Sequence, residues 1–124
     1  MSHTESGSLT LTLNEEGILE CLIPRHYYLG PDTADALIQK ARSYEPLRGL
    51  LLDRREPHTI APEAYQALAR ADYVCAIAIY VSSGPNYAVS KVFANTIKGC
   101  PVKLFYDREE ALEWLWKTCK GKCC

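Results

Sequence analysis

The sequence predicts an α/β domain, a mixed five-stranded sheet with about four helices in the order β-β-α-β-α-β-α-β-α. Three observations predict it. Val74 to Val81 is an unbroken apolar run, the mark of a strand buried on both faces. A helical pattern, a second apolar run and another helical pattern follow it, which implies a parallel crossover. At the other end, Leu9, Leu11 and Leu13 alternate with Thr10 and Thr12, the pattern of a strand with one wet face.

Taken in order, residues 1–7 are polar and read as a flexible tail. Leu9–Leu13 is a strand at or near a sheet edge. Asn14-Glu15-Glu16-Gly17 is a hairpin turn in which Gly17 is free to take positive φ. Ile18–Ile23 returns antiparallel, and Pro24 stops it. Residues 24–30, PRHYYLG, form an aromatic loop. Pro31 and Asp32 open a helix whose inner stripe is Ala34, Leu37, Ile38 and Ala41. Lys40 and Arg42 near its end suit the helix dipole.

Gly49–Asp53 is a short buried strand, followed by the loop RREPHTIA. Pro62 and Glu63 begin a second helix with Ala64, Tyr65 and Leu68 inside. A third helix runs from about Pro85 to Lys98, with Val89, Val92, Phe93 and Ile97 as its expected inner face. Pro101–Tyr106 is the last strand. Asp107 and Glu110 then form a capping-box-like start to a helix packed through Ala111, Leu112, Leu115 and Trp116. Trp114 and Trp116 are two positions apart, so both cannot face inward. The expected domain spans 8–118, with 1–7 and 119–124 as flexible tails.

A chain of 124 residues, 48% apolar, can bury one core. Its formal charge of −1 argues against nucleic acid as the main partner, which would need a basic excess. It has no long apolar run to cross a membrane and no secretory-type start, so a cytoplasmic protein is expected. Of six cysteines, Cys21 and Cys75 read as small buried hydrophobes. Cys119, Cys123 and Cys124 crowd a lysine-rich tail that favours reactive thiols over a zinc site. No disulfide framework, metal or cofactor is expected.

Two loops at strand ends could carry chemistry. Asp53, Arg54, Arg55, His58 and Thr59 follow a parallel strand, where open α/β sheets place ligands. Two arginines there suit a phosphate or carboxylate, and the simpler reading is a solvated loop with local ion pairs. Ser82 and Ser83 precede a helix and suit either an anion or a simple N-cap. Tyr27, Tyr28, Tyr87 and Phe93 are candidates to line an apolar pocket, or are plain core and rim. No P-loop and no nucleophile elbow occurs.

Three segments carry a family resemblance: GLLLDRREPHTIAPEAYQALAR, AIAIYVSSGPNYAVSKVFANTI and CPVKLFYDREEALEWL. With this element order they resemble the SpoIIAA-like branch of the STAS-domain superfamily, and within it a group of uncharacterised bacterial domains. The resemblance implies non-enzymatic work in a bacterial regulatory pathway, by binding a protein partner. Some such domains are phosphorylated at a helix start in an Asp-Ser-Ser-Gly-like context. This chain has Arg54-Arg55-Glu56-Pro57-His58-Thr59 there instead. Thr59 lies nearest the phosphoacceptor position, and efficient phosphorylation is not expected. The alternative is a carrier of a small nonpolar, lipid-like ligand. A weaker alternative is an enzyme using Asp53, His58 and a serine. A homodimer is compatible with each reading.

Overall fold

The N-terminal hairpin joins β1 (Thr10–Leu13) to β2 (Ile18–Leu22), with Thr12 opposite Glu20. Its turn is held by the Asn14 side chain, whose Oδ1 accepts from the Glu16 and Ile18 amides at 2.9 and 3.0 Å. Gly17 takes φ 83°, a left-handed conformation that glycine adopts without strain. The computed structural model describes residues 9–44, 49–56, 59–70, 74–82 and 85–119.

Beyond the hairpin come β3 (Tyr28–Leu29), α1 (Pro31–Ser43), β4 (Gly49–Asp53), β5 (Thr59–Ile60) and α2 (Pro62–Ala69). They are followed by β6 (Ala76–Tyr80), α3 (Pro85–Thr96), β7 (Val102–Phe105) and α4 (Arg108–Cys119). The main sheet has the order β1-β2-β4-β6-β7, antiparallel only at β1–β2. The strand foreseen within Val74–Val81 is β6, inside the sheet with parallel neighbours on both sides. Two elements were not expected. β3 and β5 form a separate two-stranded parallel ribbon, inside what read as the aromatic loop and the loop before α2.

Strand alternation sorts the core into two layers. Leu19, Cys21, Leu50, Leu52, Ile77 and Ile79 face α1, α2 and α3. Ile18, Leu51, Ala76 and Ala78 face α4 alone. Small side chains on this second face let α4 lie close. A Cβ added at Gly49 would stand 2.8 Å from Leu115 Cδ2. The α4 start is capped as expected, the Glu110 amide donating to Asp107 Oδ2 at 3.0 Å.

Several expectations need correction. The inner stripe of α3 is Ser90 and Phe93, continued by Ile97 just past its end, whereas Val89 and Val92 are 51% and 66% exposed. The stripe 90-93-97 keeps the i, i+3, i+7 spacing, but its first member is a serine. On α4, Ala111, Leu115 and Cys119 are buried, and Trp116 turns outward. Trp114 faces the sheet instead, its ring 5.6 Å from Phe105. Cys119, assigned above to a tail, closes α4 inside the core because the stripe runs one more turn. Cys75 is disulfide-bonded rather than a plain buried thiol. The side chain of Tyr65, and the tail beyond residue 119, lie outside the described residues.

Among the described residues, the free thiols Cys21 and Cys119 are buried and Cys100 is partly so. Burial pushes the Cys21 thiol up to about 12, helped by the nearby Asp53 charge. Burial, then Cys119, pushes Cys100 up to about 11. Folding therefore favours the protonated thiols. Their contribution to stability is intact below the ordinary thiol value of 9.0 and is lost as pH rises from there through the folded values. The expected loss is up to about 1.4 kcal/mol per pH unit for each thiol. Urea unfolding at a series of pH values should show a shallower fall for Cys21→Ala than for the unaltered chain.

Candidate functional site

The C-terminal ends of the parallel strands bring the first candidate loop together. Asp53 closes β4 with Leu22 and Tyr80 on either side. The chain continues extended, so the next two side chains leave on opposite faces. Arg54 turns to the helical layer. It is 2% exposed, with its guanidinium carbon 5.3 Å from the centre of the Phe93 ring. Arg55 turns to the α4 side and forks onto Asp53. Its Nε donates to Oδ1 at 2.9 Å and its Nη2 to Oδ2 at 2.8 Å. The same guanidinium stacks over Tyr80 at 4.3 Å. The hydrogen bond to Asp53 is the main reason that the Arg55 pKa is raised.

The consequence is chemical. The two arginines point apart and do not converge on one anion. The Asp53 carboxylate is occupied by Arg55 in a bidentate pair, the arrangement of a structural salt bridge. Glu56 pairs with Arg25 at 3.2 Å, tying this loop to the segment before β3. His26 in that segment takes φ 63°, where Tyr27 N–H closes a turn on the Pro24 carbonyl at 3.2 Å.

Thr59 is exposed and belongs to β5, its amide donating to the Tyr27 carbonyl at 2.9 Å. The N-cap of α2 is Ala61, so Thr59 stands two residues before the cap and does not cap the helix itself. Ser82 is exposed at the end of β6. His58 and Ser83 lie outside the described residues. No group of three His, Cys, Asp or Glu side chains able to hold a metal occurs among the described residues.

Among the described residues, the four aromatic candidates have different surroundings. Tyr28 is exposed, Tyr27 packs partly on the core, and Tyr87 stacks on Tyr106 at 5.6 Å. Phe93 borders an apolar groove, of about 450 Å³, that is open to solvent. Pro62 of α2 and Val89, Val92 and Thr96 of α3 complete its lining. Val89 and Val92 are the residues that sequence reasoning placed inside. Their exposure became visible only once Ser90 was seen to occupy the buried position.

A family model described as a domain of unknown function, DUF7793, matches residues 12–119. The chain belongs to the DUF7793 family. The matched span runs from within β1 to the last residue of α4, so it takes in all of the sheet but the first two residues of β1, and all four helices. Among solved structures it is similar to an uncharacterized protein from the DUF3478 family with a SpoIIAA-like fold, from Shewanella loihica PV-4. The two share 18% identity with a TM-score of 0.61, over 87% of this chain and 92% of that one. Likeness at that identity shows the fold alone. The fold of this DUF7793 domain is thus SpoIIAA-like, as the three quoted segments implied. No curated protein matches the chain. Among the described residues, no helix is long and apolar enough to cross a membrane.

Proposed function

We propose that this DUF7793 domain is a non-enzymatic binding module that docks a protein partner on the outer face of α3. The exposure of Val89 and Val92 beside an open apolar groove carries the reading. Two β-branched residues left to water one helical turn apart, beside an apolar groove, support an interaction surface there. An open groove suits side chains from a second macromolecule, which bring their own cover. A carried lipid needs enclosure.

The weaker enzymatic reading gains no support from Asp53, which is held by Arg55 and is not poised as a base. The carrier reading keeps one observation in its favour, the apolar lining next to Phe93. The two separate by experiment. Val89→Asp/Val92→Asp should leave unfolding stability within about 0.5 kcal/mol per site, because both side chains are already exposed. It should abolish retention of a protein partner on the tagged domain purified from its host. Unchanged partner retention would remove α3 from the account.

No phosphate switch is required. Protein from the host is expected to carry no phosphate on Thr59, as checked by intact mass. Stoichiometric modification there would restore a phosphorylation-controlled reading.

A further inference from the structure

A different part of the fold, independent of the α3 surface, carries a second interaction. Among the described residues, β1 is the edge of the main sheet. The Asn14 amide donates to the Ile18 carbonyl at 3.0 Å, which sets the phase of the hairpin ladder. By alternation, the pairs Thr12–Glu20 and Thr10–Leu22 exchange bonds inside the hairpin. The backbone groups of Leu11 and Leu13 therefore point out of the sheet, as do those of Leu9 just before the strand.

Edges of this kind are normally blunted by charge or proline. The opposite edge, β7, is blunted: Pro101 precedes it and Lys103 stands exposed within it. β1, with the sequence Thr-Leu-Thr-Leu, has neither. Its neighbour Glu20 is already neutralised by Arg108, which reaches across at 2.6 and 3.1 Å. Two copies can thus approach edge to edge with no like charges opposed among the described residues of β1.

The register is also self-complementary. Centring an antiparallel pair on Leu11 sets Leu11 against its twin and Leu9 against Leu13, all with outward groups. Leu11 already packs partly on the helical layer, so the twin side chains extend that apolar face. Thr10 then faces Thr12 of the other copy on the α4 side, where both are exposed. We propose that β1 pairs with β1 of a second copy of this chain, in that register, to make a two-fold homodimer with a continuous sheet.

Light scattering on the full chain over a dilution series tests this. The unaltered protein should approach twice its 13.9 kDa chain mass at high concentration. Leu11→Pro removes an outward amide together with a half-buried side chain, so it should keep the circular dichroism spectrum at some cost in stability and weaken dimerisation about tenfold or more. Should that variant fail to fold, Thr10→Lys/Thr12→Lys tests the same interface from exposed positions, and it should be monomeric through like-charge repulsion. Thr10→Lys/Thr12→Glu should restore the dimer, because each introduced lysine then faces a glutamate. A chain that stays at 13.9 kDa throughout, a dimer indifferent to the lysines, or failure of the lysine–glutamate pair to restore it would overturn the proposal.

Discussion

Replacing Phe93 with alanine is expected to lower the unfolding free energy by about 3–5 kcal/mol. The ring is 1% exposed, sits on the helical face of the sheet, and carries the Arg54 guanidinium over one side. Truncation removes its burial and its contact with the Arg54 guanidinium, and leaves a void in the core. Urea unfolding monitored by circular dichroism measures it. The value also discriminates between functions. A ring that mainly lined a ligand cavity would have incomplete surroundings, and its loss would cost little. A nearly unchanged melting curve, with release of an apolar molecule, would favour the carrier.

The second large effect is on the other face. Leu115→Ala should cost about 2–5 kcal/mol, since Leu115 is fully buried between α4 and the sheet. Gly49→Ala should cost about 1–3 kcal/mol, because the new methyl group would stand 2.8 Å from Leu115 Cδ2. The two changes share one volume. Together they should cost less than their sum, by about 0.5–3 kcal/mol, in a double-mutant cycle. Strict additivity would mean that α4 does not rest on Gly49.

These two sites also show what could be read from residues alone. The apolar run at β6 and the Asn14–Gly17 turn each have one physical solution, and both formed as expected. The last helix was legible through its Asp107 cap. The face of α3 was not. Val89 and Val92 look like core by polarity, and Ser90 looks like surface, yet packing against β7 and the sheet selects the serine. Its hydroxyl has no hydrogen-bond partner among the described residues, a cost that no pattern of apolar spacing signals. Trp114 and Trp116 were equivalent in spacing, and the position of Phe105 decided between them. The ribbon of β3 and β5 was hidden because two-residue strands leave no periodicity.

The candidate loop was only half legible. That Asp53, Arg54 and Arg55 stand at the end of a parallel strand follows from GLLLD. That the arginines diverge follows from strand alternation continued past Asp53, and the consequence is a salt bridge and a core cation instead of an anion grip. The exposed valines were missed for the same reason that they now matter: they are apolar residues with no place in the domain's own core.

The central claim is that the outer face of α3 meets another protein. Its most direct test is photo-crosslinking in the host, with a photoreactive phenylalanine analogue incorporated in place of Val92. The account predicts a discrete protein adduct that disappears when Val89→Asp is added. The absence of any protein adduct, together with native mass spectrometry showing an apolar small molecule bound to the unaltered chain, would contradict it.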